Sequence, residues 1–116
     1  MLFIHYPKCT TCQKAKKWLL EKGLDITERD IKLENPTKDE LQEWHAKSGL
    51  ELKKFFNTSG LVYKDLGLKD TLATMSDDEQ VELLATNGML VKRPIVVAND
   101  FVLVGFKESA WEEKLR

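Results

Sequence analysis

The sequence predicts an α/β domain built on a four-stranded mixed sheet covered by helices. The first observation is a short apolar run at 2–6, a helical pattern at 10–21 and a second strand pattern at 25–31. Segments of these lengths form a right-handed βαβ unit with parallel strands. The second observation is a pair of β-branched runs near the C-terminus that are separated by Asn99-Asp100, which is typical of a hairpin. The third is that the segment between these units has only helical patterns.

Length and composition indicate one domain. A chain of 116 residues builds a single core, so we expect one domain over 1–116. Its 18 basic and 19 acidic side chains nearly cancel, so the whole chain has no general attraction for nucleic acid. It has no apolar run long enough to cross a bilayer and no secretory signal at its N-terminus. Two cysteines are too few to stabilise a secreted domain of this size. We therefore expect a cytoplasmic monomer with neither a membrane partner nor a direct nucleic-acid partner.

The first βαβ unit can be assigned element by element. Residues 2–6 are expected to be a largely buried strand that stops at Pro7. From 10 to 21 the apolar positions fall on one helix face, and Gly23 is suited to end that helix. The strand at 25–31 is more polar than the first, so it is predicted to lie near an edge of the sheet.

A helical insertion is predicted over about 36–90. Thr37 with Glu40, and Ser76 with Glu79, have the spacing of capping boxes at helix starts. Shorter helical segments are expected at 52–56 and at 63–66, the second ended by Gly67, and the helix that follows Ser76 is expected to stop at Asn87-Gly88.

The C-terminal part is predicted to be a hairpin of strands at 93–98 and 101–104, followed by a helix at 108–115. Pro94 lies at the head of the first strand, where a proline removes no needed hydrogen bond. An X-Pro bond is also the place where a cis peptide is found.

The two cysteines, Cys9 and Cys12, are three residues apart at the start of the first helix. A helix start offers free N–H groups and the positive end of the dipole, and both favour a thiolate. Cys12 is one turn further on, so the sulfurs lie on one side of the helix, within reach of a disulfide. This arrangement predicts that Cys9 attacks an oxidised sulfur and that Cys12 resolves the product, a chemistry that requires no bound cofactor. The alternative is two unrelated small buried residues.

Three further residues are candidates for the same site. Arg93 is expected to face the Cys9 thiolate, and its alternative is a surface cation that caps a strand. Lys8 either lowers the pKa of Cys9 by its charge or is simply solvated. Asn57, in the segment 57–59, either lines the pocket or belongs to an ordinary turn.

Zinc is the metal to consider, because His5 and His45 together with the two cysteines would supply four ligands. Neither histidine has a ligand spacing around it, so we expect no metal site.

Four segments in order resemble the glutaredoxin-type arsenate reductase and Spx family, and the resemblance covers essentially the whole chain. The segments are YPKCTTC at 6–12, FFNTSG at 55–60, YKDLGL at 63–68 and KRPI at 92–95. The resemblance implies a thioredoxin-like sheet with a helical insertion between the second and third strands. It also implies a nucleophile at Cys9 and a cis peptide before Pro94, next to that cysteine. We expect substrate contacts from Lys8, Thr10, Thr11, Asn57 and Pro94.

Departures from the family pattern are informative. Members that reduce arsenate hold the oxyanion with several arginines, and their nucleophile normally has no partner three residues on. Here Arg93 matches one of those arginines, while Asn57 and Gly105 stand where two others would be. Lys92 and Lys107 offer point charges but not the bidentate fork of a guanidinium. Cys12 matches the Spx-type members, which are redox-switched transcription regulators acting through RNA polymerase.

Three functions follow as expectations. The first is a cytosolic thiol–disulfide redox protein, whose reductant is a low-molecular-weight thiol or a glutaredoxin or thioredoxin system. The second is an Spx-type redox-sensing regulator that contacts RNA polymerase. A glutathione- and glutaredoxin-dependent arsenate reductase is the least expected, because of the missing arginines.

Overall fold

A four-stranded mixed sheet forms the centre of the protein, in a computed structural model that describes residues 1–115. Its strands are β1 (Leu2–His5), β2 (Thr27–Asp30), β3 (Ile95–Val97) and β4 (Val102–Val104), in the spatial order β2-β1-β3-β4. Strand β1 pairs parallel with β2 and antiparallel with β3, and β3 pairs antiparallel with β4. The predicted mixed sheet, the hairpin and the edge position of the second strand are therefore confirmed.

Helices cover both faces of the sheet, because successive side chains of a strand point to opposite sides. Phe3 faces helices α1 (Thr10–Glu21) and α6 (Glu108–Lys114), which contribute Trp18 and Trp111 to one buried cluster. Ile4 faces the insertion and belongs to a second, larger cluster. The sheet thus separates two apolar cores, each with its own helices.

The insertion contains four α-helices and three single-turn 3₁₀ segments. The α-helices are α2 (Lys38–Ser48), α3 (Leu61–Asp65), α4 (Leu68–Thr71) and α5 (Asp77–Leu84), and the 3₁₀ segments are Leu52–Phe55, Leu72–Thr74 and Gly88–Leu90. Both predicted capping boxes are present, at Thr37 with Glu40 and at Ser76 with Glu79.

Three elements differ from the sequence prediction. Strand β2 ends at Asp30, because the Asp30 carboxylate accepts hydrogen bonds from the backbone N–H groups of Lys32 and Leu33 and turns the chain. The helical turns at 68–74 were not predicted, because Gly67, with φ of 65°, joins two helices instead of closing the segment. The third difference is the end of α5, which stops before Gly88. A Cβ at Gly88 would lie 1.8 Å from the carbonyl oxygen of Ile31. Gly88 is therefore a point of close backbone contact, not a helix end.

A short antiparallel contact brings the insertion back to the sheet. Phe56 forms an isolated bridge with Val91, and the Lys92 N–H donates to the Phe55 carbonyl at 2.7 Å. The Asn57 N–H donates to the Leu90 carbonyl at 2.8 Å. These bonds place Asn57 beside the segment that leads into β3. Among residues 1–115, no helix combines the length and apolar character that crossing a membrane requires.

Candidate active site

Cys9 is the N-cap residue of α1, and local hydrogen bonds fix its backbone. Its N–H donates to the Tyr6 carbonyl at 2.9 Å, and its carbonyl accepts from the Gln13 N–H at 3.0 Å. The Gln13 side chain donates to the Pro7 carbonyl at 2.9 Å and closes the loop before the helix. The Cys9 thiol is half-buried at the positive end of a twelve-residue helix.

The two thiols differ strongly in acidity. Both are free, and Cys12 is fully buried. Burial, reinforced by its neighbour Cys9, raises the pKa of the Cys12 thiol to about 12. Burial also disfavours the Cys9 thiolate, but hydrogen bonds from the Cys12 backbone, the Cys12 thiol and Arg93 outweigh it and lower the pKa of Cys9. Of the two thiols, Cys9 is therefore the one that ionises first, and Cys12 is the one that keeps its proton.

Arg93 lies against Cys9 and retains unused hydrogen-bonding capacity. Its guanidinium lies beside Cys9 and helps to lower the pKa of that thiol, and its Cζ lies 5.2 Å from the centroid of the Tyr6 ring. Nε and Nη1 are buried and have no hydrogen-bond partner among the described residues. The Arg93–Pro94 peptide is cis, as predicted, and the Pro94 carbonyl accepts from the Gly105 N–H at 2.8 Å. Two buried donor groups of Arg93 are thus unsatisfied next to Cys9.

A cavity of about 460 Å³ opens over Cys9 and Arg93. This volume is within the range of small-molecule sites. One wall comes from the Cys9 loop and the insertion, and the other from the chain around β3 and β4. The lining residues are Cys9, Thr11, Asn57, Ser59, Gly60, Lys92, Arg93, Val104, Gly105, Phe106 and Lys107.

The structure brings some of the expected site residues together and separates others. Thr11 and Asn57 line the cavity with Cys9 and Arg93. Lys8 and Thr10 are exposed on the loop and the first turn of α1, and both lie outside the cavity lining, as does the buried Pro94. The groups that lower the pKa of Cys9 are Cys12 and Arg93, so the charge of Lys8 is not its source.

Sequence reasoning missed the apolar part of the wall. Val104 and Phe106 line the cavity on either side of Gly105. The only signal for them was their position at the end of the hairpin, next to a residue singled out by the family resemblance.

The two positions that depart from the arsenate-reducing pattern both face this cavity. At Asn57, the amide packs over Gly60, where a Cβ would lie 2.6 Å from the Asn57 Nδ2. Gly105 has φ of 73°, and the Lys92 Cε lies 3.4 Å from the place of its missing Cβ. Arg29 does not compensate, because Glu40 binds its guanidinium at 2.6 and 2.9 Å. Over residues 1–115 the cavity therefore contains one guanidinium, that of Arg93.

The histidines are engaged elsewhere. His5 Nε2 lies 3.2 Å from a Glu28 carboxylate oxygen, and burial lowers the pKa of His5, so the neutral ring is the donor. His45 packs edge-on against Phe55, with the ring centroids 5.9 Å apart. In the described part of the chain, His, Cys, Asp and Glu side chains form no group of three or more that could hold a metal ion.

The mixed sheet, the helical insertion and the dithiol at the start of α1 define a thioredoxin-like protein of the arsenate reductase type. The chain belongs to the ArsC family, whose model matches residues 4–114. The resemblance drawn from the four sequence segments is confirmed.

Three similar proteins bear on function. The chain is 56% identical to the uncharacterized protein YusI of Bacillus subtilis, over 97% of this chain and 96% of YusI. It is 30% identical to the global transcriptional regulator Spx of Staphylococcus aureus, over 89% of this chain and 77% of Spx. The crystal structure of a putative ArsC family related protein from Bacteroides fragilis is 60% identical, with a TM-score of 0.95, over 97% of this chain and 94% of that one.

Proposed function

We propose that this protein is a cytoplasmic, monomeric thiol–disulfide redox protein in which Cys9 is the nucleophile and Cys12 the resolving thiol. The observation that carries the proposal is the division of roles within the pair: hydrogen bonds to Cys9 favour its thiolate, while Cys12 is buried and protonated. A nucleophile must be ionised and accessible, whereas a resolving thiol must be close and protected until it is needed.

The reaction is a two-electron exchange. The Cys9 thiolate attacks a substrate disulfide, the substrate S–S bond breaks, and the first substrate thiolate leaves. Cys12 then loses its proton and attacks the Cys9 sulfur, which releases the second substrate thiolate and leaves a Cys9–Cys12 disulfide. Arg93 supports both steps through its positive charge beside Cys9, which favours the attacking thiolate and an anionic sulfur leaving group. A low-molecular-weight thiol or a glutaredoxin or thioredoxin system then returns the two electrons.

Reduction of hydroxyethyl disulfide, with glutathione as the electron source, tests this proposal. Cys9→Ser should abolish turnover. Cys12→Ser should retain the first attack and accumulate a mixed disulfide on Cys9, visible as a mass increase. Turnover that survives in Cys9→Ser would refute the proposal.

A redox-sensing regulator is the second candidate, supported by the 30% identity to the global transcriptional regulator Spx and by Cys12, in which the chain resembles Spx-type members. In this case oxidation of Cys9 and Cys12 changes a surface that RNA polymerase reads. A pull-down from cell lysate with reduced and oxidised protein distinguishes the candidates. Polymerase subunits in only one of the two eluates would favour the regulator, whereas disulfide turnover without polymerase capture would favour the enzyme.

A further inference from the structure

The cations of the Cys9 cavity continue onto the surface of the helical insertion. Lys92 lines the cavity and also a neighbouring depression of about 430 Å³ that Lys53 and Lys54 border. Lys53 in turn borders a third depression of about 310 Å³, together with Lys64 and Lys69. The three depressions therefore share residues and follow one another across the surface. We call their cations the basic band: Lys53, Lys54, Lys64, Lys69, Lys92, Arg93 and Lys107.

Among residues 1–115 the cations of the basic band are not held in ion pairs, although Lys53 and Lys69 also border a further depression that Asp77 lines. Several cations elsewhere are paired, such as Lys22 with Glu112 and Lys38 with Asp78. Within residues 1–115, no member of the basic band forms an ion pair, and Glu51 is the single acidic residue that lines any of the three depressions. The chain as a whole has a net charge of −1, so this positive surface results from segregation of charge.

The shape of the basic band favours a polypeptide over a small molecule. The cavity over Cys9 is already large enough for a small disulfide. The two further depressions extend the cationic surface beyond the reach of such a ligand. Lys53, Lys54, Lys64 and Lys69 are all exposed, and their ammonium groups act as separate point charges suited to carboxylates spaced along a chain.

Nucleic acid fits this surface less well. Proteins that bind single strands place exposed aromatic rings beside the cations, so that bases can stack on them. The aromatic residues along the insertion part of the basic band are Phe56 and Tyr63, and both are buried in the core, at 2% and 5% exposure.

We propose that the basic band docks an acidic polypeptide and presents an oxidised sulfur of that polypeptide to Cys9. The inference rests on the proposed function, because it identifies the substrate class of that same thiol site. The two electrons come from the Cys9–Cys12 pair, which becomes a disulfide while the substrate disulfide is cleaved to two thiols. Cys12 supplies one of the two protons that the leaving thiolates take up, and solvent, which received the proton of Cys9, supplies the other. Docking raises the local concentration of the substrate disulfide at Cys9.

Two synthetic peptides with the same intramolecular disulfide test the docking. One has four glutamates after the disulfide loop, and the other has four glutamines. At low ionic strength we expect kcat/KM to be about tenfold higher for the glutamate peptide, and we expect this difference to shrink as salt is added. Hydroxyethyl disulfide is the small uncharged substrate in the same assay.

Matched variants locate the effect on the protein. Lys64→Gln with Lys69→Gln should lower kcat/KM for the glutamate peptide roughly three- to tenfold and leave that for hydroxyethyl disulfide within about twofold. The control is Lys14→Gln with Lys32→Gln, which removes two exposed cations outside the basic band. It should leave both substrates within about twofold. Equal rates for the two peptides, or an equal loss in the control variant, would overturn the proposal.

A binding measurement keeps the docking separate from the redox function. Cys9→Ser is titrated with the reduced, S-methylated glutamate peptide, which cannot react. We expect it to bind more tightly than its glutamine counterpart. Failure to reduce hydroxyethyl disulfide would refute the proposed redox function. Equal affinity for the two peptides would refute the docking proposal and leave the redox function standing. A single-stranded oligonucleotide of equal charge that binds more tightly than the glutamate peptide would also overturn the assignment to protein.

Discussion

The groups that lower the pKa of Cys9 come from residues that are far apart in the chain. Cys12, one helical turn away, donates to its sulfur, and Arg93 approaches it from the start of β3. The sequence identified the two cysteines from their spacing alone. It could not choose between Lys8 and Arg93 as the cation that favours the thiolate, since one is adjacent in sequence and the other only in space. The fold decides in favour of Arg93.

Alkylation kinetics should reflect this arrangement. We expect iodoacetamide to modify Cys9 first, at a rate that persists below the pH range of an ordinary thiol, because the pKa of Cys9 is lowered. Arg93→Ala should raise that pKa and slow alkylation near neutral pH at least threefold. Lys8→Ala is the matched control, because it removes an adjacent but exposed cation, and it should change the rate less than twofold. Faster modification of Cys12, or an equal effect of the two variants, would contradict the assigned roles.

Arsenate is expected to be a poor substrate, because the cavity lacks two of the arginines expected of an arsenate-reducing site. An oxyanion site depends on several preorganised donors, and the loss of one costs on the order of 3 kcal/mol. Here Arg93 lines the cavity, while Asn57 and Gly105 occupy the two lining positions where the pattern of arsenate-reducing members has arginines. Steady-state assays with glutathione and glutaredoxin should therefore give arsenate turnover that is negligible beside disulfide reduction. Efficient arsenate reduction that disappears in both Cys9→Ser and Arg93→Ala would reverse this conclusion.

At the scale of elements, a partly buried ion pair fixes the entry to the insertion. Arg29 on β2 binds both oxygens of Glu40 in the first turn of α2, at 2.6 and 2.9 Å. Arg29 also donates to the carbonyls of Glu34 and Asn35 in the connecting loop. The hydrogen bond from Arg29, aided by the Thr37 backbone, lowers the pKa of Glu40 to about 2. This pair thus connects the sheet edge to the helix that begins the insertion.

Removal of this carboxylate should destabilise the fold in a pH-dependent way. The folded pKa of Glu40 lies below its unfolded value, so its contribution is present above about pH 4.3 and is lost as the pH falls towards 2. Because the Glu40 side chain is 32% exposed, we discount the shift for solvent screening and expect Glu40→Gln to cost about 1–2 kcal/mol at pH 7. Urea unfolding at pH 7 and at pH 2.5 measures this. Glu43→Gln, which breaks the exposed pair of Glu43 with Lys47, should cost less than about 0.5 kcal/mol. A loss for Glu40→Gln that does not diminish at low pH would refute the electrostatic explanation.

Elements whose ends carry local signals were predictable, and those shaped by tertiary contact were not. The capping boxes at Thr37 and Ser76 predicted the starts of α2 and α5, because a capping box involves two residues that are only three positions apart in the sequence. Gly88 resembled a helix stop, but it is a glycine because its backbone packs closely against the carbonyl of Ile31, the residue that follows β2. No local pattern contains that contact. The same limit applies to the position of Asn57 in the cavity wall, which depends on the contact of residues 55–57 with residues 90–92.

At the scale of the whole molecule, the sheet keeps helix α1 and the insertion in separate cores. Helix α1 packs with α6 on one face, while the insertion packs on the other. Cys12 is fully buried in α1, so a second copy of the chain has access to Cys9 but not to its partner. Oxidation should therefore stay within one molecule.

Treatment with diamide should remove both free thiols and yield a Cys9–Cys12 disulfide in a 13.4 kDa monomer. Thiol titration counts the loss, and non-reducing electrophoresis with analytical ultracentrifugation gives the size. Cys12→Ser is the control, because it leaves Cys9 without an internal partner and should form a disulfide-linked dimer under the same conditions. A dimer as the main product of the unmodified chain would contradict the expected pairing.

The left-handed backbone at Gly105 also constrains how this lineage can evolve. Glycine and arginine codons differ by a single base, so a second guanidinium at the cavity is close in mutational terms. That step would place a side chain on a backbone with φ of 73° and against Lys92, at a cost of roughly 1–2 kcal/mol before any oxyanion is bound. A walk of single substitutions from this protein to an oxyanion site therefore includes a step whose stability cost is set by one main-chain torsion.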